Sequence, residues 1–469
     1  MAMGEHLRLW HMDFPPLIGI LSRGIRGLVG DSIVALRLVP AAASAGLIVV
    51  AGLSARELAG GRFAQGLAAL AVLASPLYLR TGALFQPVAL DQLWWTLGLF
   101  FLLKLTSTGD PRWWIPFGAA AGFGLLTKFS ILIFGAAVLL GLLVTRERRW
   151  LATPWPWAAA GLALLVGHPS LVGQLSLDFP LLGQMRDLSD AQLSRVSPPG
   201  FLLDQLLAVP ATPIALLGVL ALVGDRRRRE HRLIGVVAIA AFGLVLLARG
   251  KSYYIAPIYP VLFGAGAVVL AEVEARPWGA VLRRGSVGLL AAYLVLTLPL
   301  GLPLLGPAAM EDYQVRLGLE ERVTETNVGG QERLPQDYAD MLGWTELVAE
   351  VDRIYDALPP SERDRAVILA SNYGEAGAID FYGPELDLPP ARAFVGSYWF
   401  FGPGELPGEV LILVGFERDD FAEHCAAVEA AGRVDHPYAV AEQRDRTVYV
   451  CRRPTTTLHE FWPTVRGTN

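Results

Sequence analysis

The chain has 469 residues, of which 53% are hydrophobic and only 18% are charged, and its mean hydropathy is +0.42. This composition excludes an ordinary large soluble enzyme and is typical of a protein that crosses the membrane several times and also has a water-soluble part. The net charge of −5 hides an uneven distribution, because arginine dominates the short loops of the first two thirds and acids dominate the last third. Nucleic acid is therefore not expected as a partner.

The first residues suggest a segment at the membrane surface. Residues 1–10 lack the apolar core of a cleavable signal peptide. Asp13 is followed, after one residue, by Pro15 and Pro16. These two prolines force the backbone to bend. In residues 17–29, Arg23 and Arg26 share one helical face and aliphatic side chains share the other, which predicts a helix lying in the interface. Asp13 would then be held at headgroup depth.

Ten apolar segments have lengths suited to crossing the membrane. They are residues 36–53, 62–80, 88–105, 112–127, 129–145, 155–173, 206–224, 232–249, 252–271 and 285–306. Arginine-rich loops after the fifth, seventh and ninth segments should be cytoplasmic. The part of the chain after about residue 306 is then expected outside the cytoplasm.

The same count places Met1 on the outer side, although nothing in residues 1–30 is suited to carrying an N-terminus across. Two explanations are open. Either a short tail is translocated, or a first transmembrane helix is missing from the start of this chain. We favour the second explanation because polar tails cross poorly without help.

From about Glu311 the sequence becomes water-soluble in character. Helices are predicted at residues 338–358 and 419–431, and strands at 366–370, 410–415 and 447–451. The expected fold class is therefore a mainly α, polytopic membrane helical bundle over residues 1–310, followed by an extramembrane α/β domain over residues 311–469. Cys425 and Cys451 both fall in this domain, where a disulfide and two unpaired buried thiols are equally compatible with the sequence.

Asp91 stands just inside the outer end of the third predicted membrane helix. A carboxylate at this depth is costly, so it is expected to face protein or water and to have a function. The structural alternative is a charge that complements the dipole of its own helix. Because Asp13 is expected on the same side, the two carboxylates could meet in one site, where they could deprotonate an acceptor hydroxyl or bind the hydroxyls of a sugar.

Several cations are also expected on the outer side, against the usual charge bias. They are Lys128 in a tight hairpin, and Arg249 and Lys251 just before Tyr254. Snorkelling to the interface explains any one of them, and the neighbouring tyrosines could form an ordinary aromatic belt. Together they suggest a site for an anionic lipid head, in which lysine binds phosphate as a point charge.

Two further features carry weaker signals. His168 is alone near a helix end, so we predict no metal site. In the soluble domain, Tyr373 and Glu375 lie in a glycine-containing stretch after a predicted strand. They are candidates for the acceptor side of a site, and a purely structural turn fits equally well.

Taken together, the motifs resemble those of the polyprenyl-phosphate-sugar-dependent glycosyltransferases, the family that includes protein O-mannosyltransferases and the aminoarabinose transferase of lipid A. The resemblance covers roughly residues 10–272. Its motifs are Asp13 to Leu17, Gly30 to Ser32, Ala35 to Leu38, Pro87 to Asp91, Gly124 to Lys128, and Lys251 to Tyr254 with Pro257 and Pro260.

This resemblance implies a C-type glycosyltransferase fold and a sugar donor carried on undecaprenyl phosphate or a similar lipid. It implies inverting transfer of a hexosyl or pentosyl group, without a cofactor, to a hydroxyl of a lipid, glycan or protein on the outer face. The expected location is a bacterial inner membrane, with membrane lipids around the chain and the C-terminal domain outside the cytoplasm.

The resemblance also suggests roles for single residues. Asp13 and Asp91 belong to the sugar-binding or acid–base cavity, and Lys251 binds the lipid phosphate with support from Lys128, Arg249 and Tyr254. In such enzymes an acid in the first outer loop is thought to be the base. Glu5 does not match that motif, so a catalytically incomplete scaffold stays open, as does a transporter of a lipid-linked sugar or solute.

Overall fold

The computed structural model describes residues 1–7, 14–273 and 277–465. The chain divides into two compact units, one of which is Phe14–Leu304. The other combines Met1–Asp13 with Leu305–Asn469. Asp13 itself lies outside the described residues, so its predicted place at headgroup depth stays a prediction.

In the chain up to Gly301, the described residues are almost entirely helical. Its helices are α1 (Ala2–Glu5), α2 (Leu17–Val29), α3 (Ile33–Glu57), α4 (Arg62–Leu73), α5 (Pro76–Ala83), α6 (Pro87–Thr108), α7 (Trp114–Thr127), α8 (Ile131–Val144), α9 (Trp155–Ser176), α10 (Pro180–Ala191), α11 (Pro198–Leu207), α12 (Thr212–Gly224), α13 (Arg232–Leu247), α14 (Tyr259–Glu272) and α15 (Gly279–Gly301). Short 3-10 helices occupy Pro111–Trp113, Arg146–Ala152, Leu193–Arg195, Arg226–His231 and Ser252–Ile258.

All ten apolar segments predicted from the sequence are largely helical, but not all are single straight spans. Among the described residues, six helices are long and apolar enough to cross a membrane, or up to eight if each of two bent pairs counts as one span. The pair α4 and α5 bends by 61°, and the pair α11 and α12 bends by 104°. Helices α7 and α8 have 14 residues each, and at 1.5 Å per residue each is only about 21 Å long. By helix length alone, the described residues therefore support fewer membrane crossings than the ten predicted from the sequence.

The predicted interfacial helix is present as α2, with the expected bounds Leu17–Val29. Its first turn packs into the unit, since Leu17 joins a small apolar cluster with Leu90 and Leu126. Its last turn does not, since Leu28 is 88% exposed. An amphipathic helix that leaves large apolar side chains uncovered is suited to a lipid surface, and its place in the interface stays a prediction.

The C-terminal part is a small α/β domain, as the sequence predicts. Its helices are α16 (Pro307–Arg316), α17 (Glu320–Val323), α18 (Gln336–Ala339), α19 (Trp344–Ala357), α20 (Pro360–Arg363), α21 (Tyr373–Tyr382), α22 (Gly396–Trp399), α23 (Arg418–Ala422) and α24 (Leu458–Phe461). Its strands are β1 (Ala366–Ala370), β2 (Arg392–Ala393), β3 (Val410–Val414), β4 (Cys425–Val434) and β5 (Arg446–Pro454). They form one sheet in the order β2-β1-β3-β5-β4, parallel between β2, β1 and β3 and antiparallel beyond.

The prediction of a helix at residues 419–431 is wrong for most of that range. Only Arg418–Ala422 is helical, and Cys425–Val434 is a strand that pairs with β5. The alanine-rich sequence suits a helix intrinsically, but pairing with an exposed sheet edge outweighs that preference. The other predicted strands are present as β1, β3 and β5.

The start of the chain packs into the core of this C-terminal domain. Ala2 of α1 belongs to the apolar cluster formed by α19, α21 and one face of the sheet. The ring of His6 stacks on Phe401, with 4.2 Å between ring centroids. Residues 1–7 are therefore part of the domain's fold rather than of the helical bundle.

Cys425 and Cys451 form a disulfide with 5.8 Å between Cα atoms, which resolves the two alternatives left by the sequence. The bond links the paired strands β4 and β5. Exchange of both cysteines for serine should lower the free energy of unfolding of this domain by about 2–4 kcal/mol. In calorimetry of the full chain, the transition of the domain should move down by roughly 5–15 °C. Dithiothreitol should lower the transition temperature of the wild-type domain by the same amount and leave that of the double variant unchanged. If neither the double substitution nor dithiothreitol lowered the transition temperature, the prediction would be wrong.

Candidate functional site

The first element of the candidate site is Asp91, near the start of α6. Pro87 opens this helix in its first turn, where a missing backbone N–H costs nothing. The Asp91 side chain is buried, with only 5% of the residue exposed. Its Oδ1 accepts a hydrogen bond of 2.7 Å from Oγ of Ser130. Ser130 lies in the hairpin between α7 and α8, so the bond joins two distant parts of the chain.

Lys128 lies in the same hairpin and directs its side chain to two aromatic rings. Its Nζ is 4.3 Å from the ring centroid of Tyr254 and 5.2 Å from that of Tyr253. The ammonium also lies close enough to Asp91 for the two charges to attract each other. Tyrosine faces attract a cation, so the two rings and the Asp91 carboxylate together position the Lys128 ammonium.

The two tyrosines follow a tight turn that ends α13. Arg249 is in the left-handed backbone region with φ of 51°, and Gly250 N–H donates back to the carbonyl of Val245 at 2.9 Å. A Cβ on Gly250 would lie 3.0 Å from the Tyr254 ring, so the ring packs directly against the turn. This turn ends at Lys251, the residue that precedes the Ser252–Ile258 helix. A non-glycine residue in left-handed backbone is unusual and is often found at functional sites.

The structure thus brings together a subset of the residues predicted from sequence. Asp91, Lys128 and Tyr254 meet in one cluster, and Arg249 and Lys251 lie in the turn that leads into it. A buried carboxylate, a cation held on tyrosine faces and two further cations nearby in the chain can bind a polar anionic group at the end of an apolar bundle.

Ser130 and Trp94 are site residues that the sequence analysis missed. Trp94 donates from its indole N–H to Oγ1 of Thr127 at 3.0 Å, directly before Lys128 in the chain. Both residues lie close in the chain to a predicted site residue: Trp94 is three residues after Asp91, and Ser130 is two residues after Lys128. Side chains three apart on a helix share a face, which would have predicted Trp94 but not Ser130.

The two candidates of the C-terminal domain have different surroundings. Tyr373 is 63% exposed, whereas Glu375 is 1% exposed. The Glu375 carboxylate accepts bonds from the N–H and Oγ of Ser371 at 3.1 and 3.0 Å. It lies against Gly415, which has φ of 76° and where a Cβ would fall 2.3 Å from both carboxylate oxygens. The Glu375 side chain therefore fastens the β1–α21 turn, and of the two residues only Tyr373 faces solvent.

Burial raises the pKa of the Glu375 carboxyl above its usual value, against the opposing hydrogen bonds from Ser371. The folded domain then binds this proton more tightly than the unfolded chain, so this group makes stability fall as pH rises through the range just above the ordinary carboxyl pKa. Glu375→Gln removes that fall. We expect the unfolding temperature of the variant, relative to wild type, to rise as pH increases from about 4 to 7; parallel curves would contradict it.

Among the described residues, no group of three or more His, Cys, Asp and Glu side chains is placed to hold a metal ion. His168 is exposed, and its Nδ1 is 2.8 Å from the carbonyl of Leu165 in the preceding turn of its own helix.

Comparison with known proteins adds sequence and structural evidence. Residues 13–172, roughly a third of the chain, match the family described as dolichyl-phosphate-mannose-protein mannosyltransferase. No curated protein matches the chain. The structure is similar to the crystal structure of ArnT from Cupriavidus metallidurans in the apo state, with a TM-score of 0.58 and 18% identity over 98% of this chain and 89% of that chain.

The crystal structure of the same ArnT bound to undecaprenyl phosphate is also similar, with a TM-score of 0.60 and 16% identity over 98% of this chain and 90% of that chain. At such identities the likeness establishes the fold, which is that of ArnT over nearly the whole chain. The predicted resemblance and the predicted fold class are therefore confirmed.

Proposed function

We propose that this chain, which matches the mannosyltransferase family in residues 13–172 and has the ArnT fold, is a membrane glycosyltransferase that uses a polyprenyl-phosphate sugar as donor. The observation on which the proposal depends is the cluster of Asp91, Lys128 and Tyr254. Three separate parts of the chain supply it, and its chemistry fits a sugar joined to a lipid phosphate.

The cations of the cluster are assigned to the phosphate. The Nζ of Lys128 lies over the faces of Tyr253 and Tyr254, and Arg249 and Lys251 shortly precede these tyrosines in the chain. Fixed cations in a site of low polarity stabilise the charge that develops on a departing phosphate. Such a site needs no nucleotide to activate the leaving group.

The carboxylates are assigned to the sugar and to the acceptor. The acceptor hydroxyl oxygen attacks the anomeric carbon in line, its proton passes to a carboxylate, and the bond from the anomeric carbon to the phosphate oxygen breaks. The polyprenyl phosphate then leaves, and the anomeric configuration is inverted. Asp91 is the carboxylate of the described site that can accept the proton or bind the sugar hydroxyls.

Asp13 is proposed as the second carboxylate. Leu17, four residues later in the chain, belongs to the same apolar cluster as Leu90, the neighbour of Asp91. Asp13 itself lies outside the described residues, so the prediction that the two acids share one cavity stays a prediction.

The acceptor is proposed to be a hydroxyl of a lipid, glycan or protein on the outer face of a bacterial inner membrane, with the C-terminal domain on that side. The disulfide Cys425–Cys451 supports this location because disulfides persist in oxidising compartments. Tyr373, exposed beside the β1–α21 turn, is the candidate contact to the acceptor in that domain.

Purified full-length chain in proteoliposomes tests the proposal. Undecaprenyl-phosphate donors with radiolabelled hexose or pentose are supplied with lipid A, a glycan or a hydroxyl-bearing peptide. Time-dependent, protein-dependent movement of label to one acceptor supports a glycosyltransferase. Movement of the intact donor between leaflets without cleavage would favour a transporter, and binding of donor with neither reaction would favour a scaffold.

A further inference from the structure

The segment that presents the site tyrosines is irregular backbone within an apolar bundle. Ser252–Ile258 is a 3-10 helix that contains Pro257 and leads directly into α14. The hydrogen-bond geometry of a 3-10 helix is poorer than that of an α-helix, and Pro257 supplies no backbone N–H. Side-chain donors that reach the carbonyls of this segment therefore help to hold it in place.

Three helices each donate one side-chain hydrogen bond to a carbonyl of this segment. Tyr78 of α5 donates its hydroxyl to the carbonyl of Ala256 at 2.7 Å. Thr96 of α6 donates to the carbonyl of Pro257, also at 2.7 Å. Gln205 of α11 donates its amide N–H to the carbonyl of Ser252 at 3.1 Å. The first two fix the end that joins α14, and Gln205 fixes the end that carries the site.

The Gln205 amide is itself held on both sides. Its Oε1 accepts a 2.9 Å bond from the hydroxyl of Tyr259, and its Nε2 is also 3.3 Å from the carbonyl of Phe201. The residue is 3% exposed. A buried amide whose oxygen and nitrogen are both engaged has one orientation, so it sets the position of the carbonyl to which it donates.

In the chain, the Ser252 carbonyl lies between Lys251, which is assigned to the phosphate, and the two tyrosines that hold Lys128. Ser252 follows Lys251 and precedes Tyr253 and Tyr254, whose rings hold the Lys128 ammonium. A shift of the Ser252 peptide therefore moves the tyrosine faces on one side and the Lys251 backbone on the other.

We propose that Gln205 is a positioning residue for the donor phosphate, acting through the Ser252 carbonyl and not by contact with the donor. This inference deepens the proposed function and rests on it. Gln205 lies in the last turn of α11, just before the bend between α11 and α12, and from there its amide reaches the Ser252–Ile258 helix.

The test is Gln205→Met, which keeps the side-chain volume and removes both polar atoms. Binding of undecaprenyl phosphate to the full-length chain in nanodiscs is measured by tryptophan fluorescence, and sugar transfer is measured as a function of donor concentration. We expect affinity for undecaprenyl phosphate to fall about tenfold and KM for the donor to rise to match, with kcat changed by less than about threefold. Tyr259→Phe, which removes only the hydroxyl that orients the amide, should weaken binding about threefold.

The matched control is Gln174→Met. Gln174 is also a buried glutamine, but its Oε1 accepts from the backbone N–H of Leu181, outside the Ser252–Ile258 helix. This control should bind undecaprenyl phosphate as wild type does. Wild-type affinity in both Gln205→Met and Tyr259→Phe, or equal loss in the control, overturns the inference. Failure of the wild type to transfer any sugar overturns the proposed function instead.

Discussion

Exchange of Asp91 for asparagine is expected to lower sugar transfer by about 10²–10⁴-fold, the range for loss of a group that moves a proton in the transition state. The amide matches the carboxylate in shape and can still accept the 2.7 Å bond from Ser130. Because asparagine keeps the size of the side chain and its hydrogen bond, the packing around position 91 should persist. The measurement is the rate of label transfer at saturating donor in proteoliposomes.

Asp110→Asn is the matched control for this variant. Asp110 follows the other end of α6, and its carboxylate accepts from the backbone N–H of Arg112 in an exposed turn, a bond that asparagine also makes. The control should transfer sugar at the wild-type rate. If Asp91→Asn retained a rate within threefold of wild type, Asp91 would be a structural carboxylate that serves only its own helix.

Lys128→Met should raise KM for the polyprenyl-phosphate donor by about 10- to 100-fold. Each tenfold step corresponds to about 1.4 kcal/mol, and hydrogen bonds to charged groups are each worth roughly 1.5–3 kcal/mol. Methionine still packs on the faces of Tyr253 and Tyr254, so the apolar contacts survive and the charge is lost. Donor titrations of transfer, together with binding of undecaprenyl phosphate, provide the measurement.

Lys104→Met separates this effect from the general cost of removing a lysine from a ring face. Lys104 also lies over an aromatic ring, with Nζ 5.2 Å from the centroid of Trp113, but it is paired with Glu57 at 2.7 Å. Its loss should leave donor KM unchanged. A wild-type KM in Lys128→Met would contradict the assignment of the donor phosphate to this site.

The lengths of the apolar segments predicted where helices occur, but they did not predict where those helices bend or end. The segment predicted as one span over residues 206–224 is part of a pair bent by 104°, and the helix predicted at residues 419–431 is mainly the strand β4. Both segments have hydrogen-bond partners elsewhere in the chain. Gln205 bonds to Ser252, and β4 pairs with β5. Local periodicity contains no information about such partners.

The charged members of the site could be predicted because an ionisable group within an apolar segment is unusual in itself. Asp91 and Lys128 stood out for that reason, and the structure brings them together. The groups that position them did not stand out. Serine, threonine and glutamine are common in helices, and Ser130, Thr96 and Gln205 gain their roles only from partners that folding supplies.

The packing of α1 into the C-terminal domain has a consequence for the path of the chain. Ala2 lies in the core of that domain and His6 stacks on Phe401, so residues 1–7 and 305–465 occupy the same compartment. A polypeptide that leaves this compartment after its first residues and returns to complete the same domain must traverse the bilayer an even number of times in between. Reporter proteins joined before α1 and after the domain would experience identical surroundings.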